Sequence, residues 1–103
     1  MSIDFDISAL DDVIHSRMRL GVMAYLAGSS EADFNTLKAK LNASDGNLSV
    51  QLRKLEEAGY IAIEKTYAGR KPLTRISITD AGRSAFVIYL DAIEKLLPTK
   101  DSP

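Results

Sequence analysis

The chain has no cysteine and no tryptophan, a single histidine, and three prolines in 103 residues. Without cysteine there is no disulfide framework, no thiolate nucleophile and no cysteine-based metal site. His15 stands alone, without the companions a metal ion needs, and reads as structural. No apolar run approaches the roughly 20 residues that cross a bilayer. The first residues, Met1-Ser-Ile-Asp-Phe-Asp6, are acidic and lack the basic start and apolar run of a secretory signal. A cytoplasmic protein with no membrane partner is expected. Glycine-rich phosphate loops and acids paired in a catalytic frame are also missing, so neither an enzyme nor a cofactor is expected. No cluster of residues selects a small-molecule effector.

Excess charge is lacking too: the net charge is −1. Its distribution is uneven. Residues 1–33 carry a net −4, residues 34–75 a net +4 (Lys38, Lys40, Arg53, Lys54, Lys65, Arg70, Lys71 and Arg75 against four acids), and the remainder −1. The basic character is gathered in the middle third, at a level that predicts few phosphate contacts.

What is present is a 46% hydrophobic content, enough for one compact core, expected over residues 1–97 with 98–103 as a disordered tail. Ser8-Ala-Leu-Asp11 resembles a capping box, and Leu10, Val13 and Ile14 follow at helical spacing, which predicts a short helix over 8–15 contributing to dimerisation. Ser16 is expected to cap a second helix bearing Leu20, Met23, Ala24 and Ala27, with Gly28 as its left-handed stop. Asp33 opens a third, with Phe34, Leu37 and Leu41 inward. After the short break Asn42-Ala43, Ser44 caps a fourth whose inner face is Leu48, Leu52 and Leu55, ending at Ala58-Gly59.

The period then falls from 3.6 to 2. Ile61 and Ile63, then Ile76 and Ile78, alternate with small or polar residues on either side of the turn Tyr67-Ala-Gly-Arg-Lys-Pro72, which predicts a hairpin. Thr79 caps a last helix running to about Leu97. The expected class is α+β, mainly α: a winged helix-turn-helix with a two-stranded β-hairpin wing and a C-terminal dimerisation helix.

That plan suits DNA. A helix fits the major groove if one face anchors it and the other stays free. At about 100° per residue, Gly46, Asn47, Val50, Arg53 and Lys54 lie away from the leucine seam, with Ser49 at its border. Ser44, Gly46 and Asn47 occupy the first turn, where unpaired N–H groups favour a phosphate. Asn47 and Arg53 suit base edges, Val50 a thymine methyl, and Ser49 and Lys54 phosphate oxygens. Arg70 and Lys71 at the hairpin tip, with Arg75 beside them, suit the backbone or a narrow minor groove.

The stretch Ser44-Asp-Gly-Asn-Leu-Ser-Val-Gln-Leu-Arg-Lys-Leu-Glu-Glu-Ala-Gly-Tyr60 resembles the recognition helix of MarR- and ArsR-type regulators. Gly69-Arg-Lys-Pro72 with Thr79-Asp-Ala-Gly82 resembles the wing and following helix of the short winged-helix DNA-binding domain family in that group, and His15-Ser-Arg-Met-Arg-Leu20 is similar to the start of its first core helix. The resemblance covers roughly residues 9 to 97. It implies a dimeric transcriptional regulator with the helix of residues 44–59 in the major groove and the wing, residues 67–73, on the adjacent backbone. Gln51 stands where many relatives have histidine, and Asp45 adds a negative charge at the DNA-facing end.

The last helix is apolar on several faces, which predicts burial on more than one side. The expected partner is a second copy, with Phe5, Leu10, Val13, Phe86, Ile88, Tyr89, Leu90, Ile93 and Leu97 at the interface. The rival reading is a winged-helix protein-interaction module without DNA binding, supported by the overall acidic charge.

Overall fold

The computed structural model describes residues 6–97; Phe5 and the tail 98–103 lie outside the described residues. Four α-helices and three strands follow a short 3-10 turn, Ile7–Ala9: α1 Arg17–Ser29, β1 Glu31–Asp33, α2 Phe34–Leu41, α3 Asp45–Glu57, β2 Ile61–Ala68, β3 Lys71–Ile78 and α4 Asp80–Leu96.

The helix predicted over 8–15 does not form. Asp6, not Ser8, caps the 3-10 turn, accepting from the Ser8 amide at 3.1 Å. Asp11 accepts from the amides of Val13 at 2.8 Å and Ile14 at 3.4 Å. Asp11 thus captures two amides that a helix over 8–15 would have paired with carbonyls four residues back. Leu10 and Ile14 still reach the core, carried there by turns.

Ser16 stands at the N-cap of α1, though its hydroxyl makes no capping bond. The helix runs past Gly28, and the residue with positive φ is Ser30, at 71°. Two contacts explain the later stop. Arg83 of α4 donates to the Ala27 carbonyl at 3.0 Å and to the Ser30 hydroxyl at 2.8 Å, placing a cation at the helix C-terminus. The Ser30 carbonyl accepts from the Ile78 amide at 3.0 Å, which draws the chain into the sheet.

That sheet has three strands, not two, in the order β1-β3-β2 and antiparallel throughout. β1 pairs Ala32 with Ile76. Three residues, two of them acidic, are too short a run to show alternation. The hairpin is tighter than expected: Tyr67 pairs with Pro72 and Ala68 with Lys71, leaving only Gly69 (φ 65°) and Arg70 at the tip. Pro72 is tolerated because β1 pairs only with Arg75–Ser77, so β3 has a single neighbour there.

α2 begins as expected, with Asp33 accepting from the Thr36 amide at 2.7 Å, and ends at Asn42 in the left-handed region. Ser44 accepts from the Asn47 amide at 3.2 Å and opens α3. Gly59, at φ 83°, releases the chain into β2. Thr79 caps α4, accepting from Gly82 N at 2.9 Å. The core joins Leu10, Ile14, Val22, Met23, Leu26, Leu37, Leu48, Leu52, Leu55, Ile61, Ile76, Phe86, Tyr89 and Ala92 into one cluster.

Candidate nucleic-acid interface

The three residues Asn42, Ala43 and Ser44 turn the chain from α2 into α3. Leu48, Leu52 and Leu55 are buried, which fixes α3 against the core along a seam one residue wide per turn. The rest of the helix is open. Ser44, Gly46, Asn47, Ser49, Val50, Arg53 and Lys54 are all exposed, and Val50 shows half its surface, 51%. At Gly46 a β-carbon would meet nothing, so the backbone of the first turn is bare to an approaching ligand. Asp45 is not left alone at that end: Lys38 of α2 pairs with it at 2.7 Å. The pair ties the two helices of the turn together and offsets the negative charge next to the unpaired N–H groups.

Across from α3 stands the hairpin. A cleft of about 800 Å³ separates them, with Ser49, Leu52, Arg53 and Glu56 on one wall and Ile63, Lys65, Pro72, Leu73 and Thr74 on the other. Asp33, Phe34, Asn35 and Asp45 also line it. Arg53 therefore faces the hairpin whose exposed tip carries Arg70 and Lys71. The structure adds Lys65, exposed on β2 and lining the same cleft. The available signal was the period of two, which puts Lys65 on the same face of the strand as Ile61 and Ile63.

Arg75 is placed differently from Arg70 and Lys71. It is half-buried on the sheet and lies 3.8 Å from both Glu31 on β1 and Glu64 on β2. Its charge is matched within the sheet, and it sits several residues from the tip.

The described residues expected between two copies fall into three groups. Leu10, Phe86 and Tyr89 are buried in the chain's own core and offer no surface to a partner. Ile88, Leu90 and Leu97 are exposed, together with Val87, while Val13 and Ile93 are half-buried against the core. The stripe centred on Phe86 and Tyr89 is thus the inward face of α4, and the residues lying off it form the outward one.

At the root of the wing Tyr60 donates to the Asp11 carboxylate. That hydrogen bond, with burial and the carboxylate's negative charge, pushes the phenol up to about 12. Burial also raises Tyr89, whose hydroxyl meets Nδ1 of His15 at 2.8 Å. Among the described residues no group of acids and histidine is arranged to hold a metal ion, and no helix is long and apolar enough to cross a membrane.

Comparison with known proteins agrees with this geometry. A family model described as a winged helix DNA-binding domain matches residues 18–97. The chain is 40% identical over 84 residues to the uncharacterized protein MJ0432 of Methanocaldococcus jannaschii, covering 82% of this chain and 91% of that one. Among solved structures, a transcriptional regulator homologue from Pyrococcus horikoshii superposes with a TM-score of 0.72 at 29% identity, over 85% of this chain and 92% of that one. Reduced AbfR bound to DNA superposes with a TM-score of 0.70 at 25% identity, over 82% of this chain and 57% of AbfR. A MarR-family regulator from Silicibacter pomeroyi shares the fold, with a TM-score of 0.63 at 21% identity, over 82% of this chain and 53% of that one. The chain belongs to the winged helix DNA-binding domain family, with the fold of MarR-type transcriptional regulators.

Proposed function

We propose that this chain is a cytoplasmic transcriptional regulator that binds specific sequences of double-stranded DNA as a homodimer, working as one winged-helix unit over residues 1–97. The helix of residues 44–59 lies in the major groove, and the wing, residues 67–73, meets the adjacent backbone or minor groove. One observation carries this reading. The polar face of α3 is open along its length and Arg53 on it faces the hairpin, so helix and wing address one partner from two sides. Arg53, Lys54, Lys65, Arg70 and Lys71 are exposed cations on these elements. The DNA complex of the similar AbfR supports the same partner.

The exposed Val87, Ile88, Leu90 and Leu97 on the outer side of α4 are the contribution of this chain to a twofold interface. Such a dimer sets two recognition helices about one DNA turn apart.

Selection of bound duplexes from a random library tests the reading. A palindromic consensus, bound with an affinity that falls as salt rises with the modest slope of a few phosphate contacts, is the expected result. Absence of binding to any duplex at low salt overturns it. That outcome favours a protein-interaction module, for which Asp33, Asp45 and Glu56 together with Arg53 and Lys65 line the cleft with mixed charge.

A further inference from the structure

Arg19 of α1 reaches across the molecule to α3. Its Nε donates to the Val13 carbonyl, one terminal nitrogen reaches the Asp12 carbonyl at 3.5 Å, and the other donates to Oε1 of Gln51. Gln51 in turn donates through Nε2 to Oδ1 of Asn47, at 3.0 Å. Asn47 is exposed, whereas Arg19 and Gln51 are half-buried behind it.

The order of donors along this relay is dictated from one end. A guanidinium has hydrogen-bond donors and no acceptor. The Gln51 atom facing it is therefore the oxygen, and its nitrogen turns toward Asn47. Asn47 must meet that nitrogen with its own oxygen. What it turns to solvent is Nδ2, with two protons to give. The Asn47 amide, which would otherwise show either end, has its polarity set by a residue on another helix.

We propose, on the reading that α3 lies in the major groove, that Asn47 selects one base in each half-site by donation alone. It favours the keto bases guanine and thymine, whose groove edges present O6 and N7 or O4. It disfavours cytosine, whose edge presents an amino donor. It also forgoes the paired contact that a free asparagine makes with adenine, because that contact needs the amide oxygen to accept from N6. Gln51 and Arg19 are positioning residues in this scheme: they touch no base and set which end of Asn47 does.

The test is selection from a random duplex library with the wild type, Gln51→Glu and Asn47→Ala. Glutamate at 51 keeps the acceptor for Arg19 but has no proton to give. The Asn47 amide then turns its nitrogen inward and its oxygen out. Wild type is expected to enrich guanine or thymine about tenfold at one position per half-site. Gln51→Glu shifts that position toward adenine or cytosine, and Asn47→Ala flattens it. Adenine at that position in wild type overturns the proposal, as does an unchanged preference in Gln51→Glu. Wild type that binds no duplex at all overturns the groove reading itself, and this inference with it; binding without a preference at this position overturns the inference alone. A measurement on the free wild-type protein needs no variant: Gln51 side-chain amide protons should exchange more slowly than those of Asn47, and the reverse order counts against the relay.

Discussion

A β-carbon on Gly82 would fall 2.1 Å from the carbonyl oxygen of Tyr60. The first turn of α4 rests directly on the backbone where α3 gives way to the wing, and the same carbonyl accepts from the Thr79 amide at 3.0 Å. Backbone cannot swing aside as a side-chain tip can. Gly82→Ala should therefore cost about 3 kcal/mol or more, at the upper end of overpacking effects. Urea unfolding measures it, and a loss below half that value means α4 shifts freely on its seat.

Thr79 makes two bonds at this junction, accepting from Gly82 N at 2.9 Å and donating to the Gly59 carbonyl at 2.7 Å. Thr79→Ala should destabilise by about 1–2 kcal/mol. Thr79→Ser, which keeps the hydroxyl, should recover most of it in the same denaturation assay.

Stability should decline in alkali. The Tyr60 phenol is raised from 10.0 to about 12 by its bond to Asp11. Below pH 10 the phenol is protonated in both states, and its contribution is fully present. Between about 10 and 12 the unfolded chain loses the proton first, so folding weakens as pH rises. Tyr60→Phe should be less stable at neutral pH and show a shallower decline across this window; Tyr89, also raised, leaves a residual slope. Tyrosine absorbance during the titration follows the phenols directly.

Salt dependence should separate the cations. Lys54→Ala and the double change Arg70→Ala with Lys71→Ala are expected to weaken duplex binding and to flatten the slope of affinity against salt, by about one unit for each phosphate no longer neutralised. Arg75, held between Glu31 and Glu64 at 3.8 Å, should leave that slope unchanged when replaced by alanine. A reduced slope for Arg75→Ala places it on the DNA after all.

Ile88 is 64% exposed on α4 and Val87 is 65% exposed. If they face a second copy, Ile88→Glu should turn a dimer into a monomer by sedimentation while circular dichroism stays that of a folded chain. Unaltered sedimentation assigns the contact elsewhere.

The helices α2 and α3 were legible because short-range chemistry writes them: Asp33 and Ser44 cap, the leucines recur at helical spacing, and Gly59 ends the run. The wing was legible through its change of period. β1 was not, since its three residues are a strand only because β3 lies alongside. The helix predicted near Leu10 failed because Asp11 took the Val13 and Ile14 amides it needed.

The candidate site divides in the same way. Sequence sufficed to separate the exposed face of α3 from its buried seam, because helical periodicity alone sorts those residues. It could not show that Arg75 is matched by acids on two neighbouring strands, that Lys65 lines the cleft with Arg53, or that Arg19 fixes the Asn47 amide through Gln51. Nor could it tell which side of the apolar α4 faces inward. Local pattern is set by neighbours along the chain; charge matching, amide polarity and the choice of buried face depend on groups brought close only when the chain closes on itself.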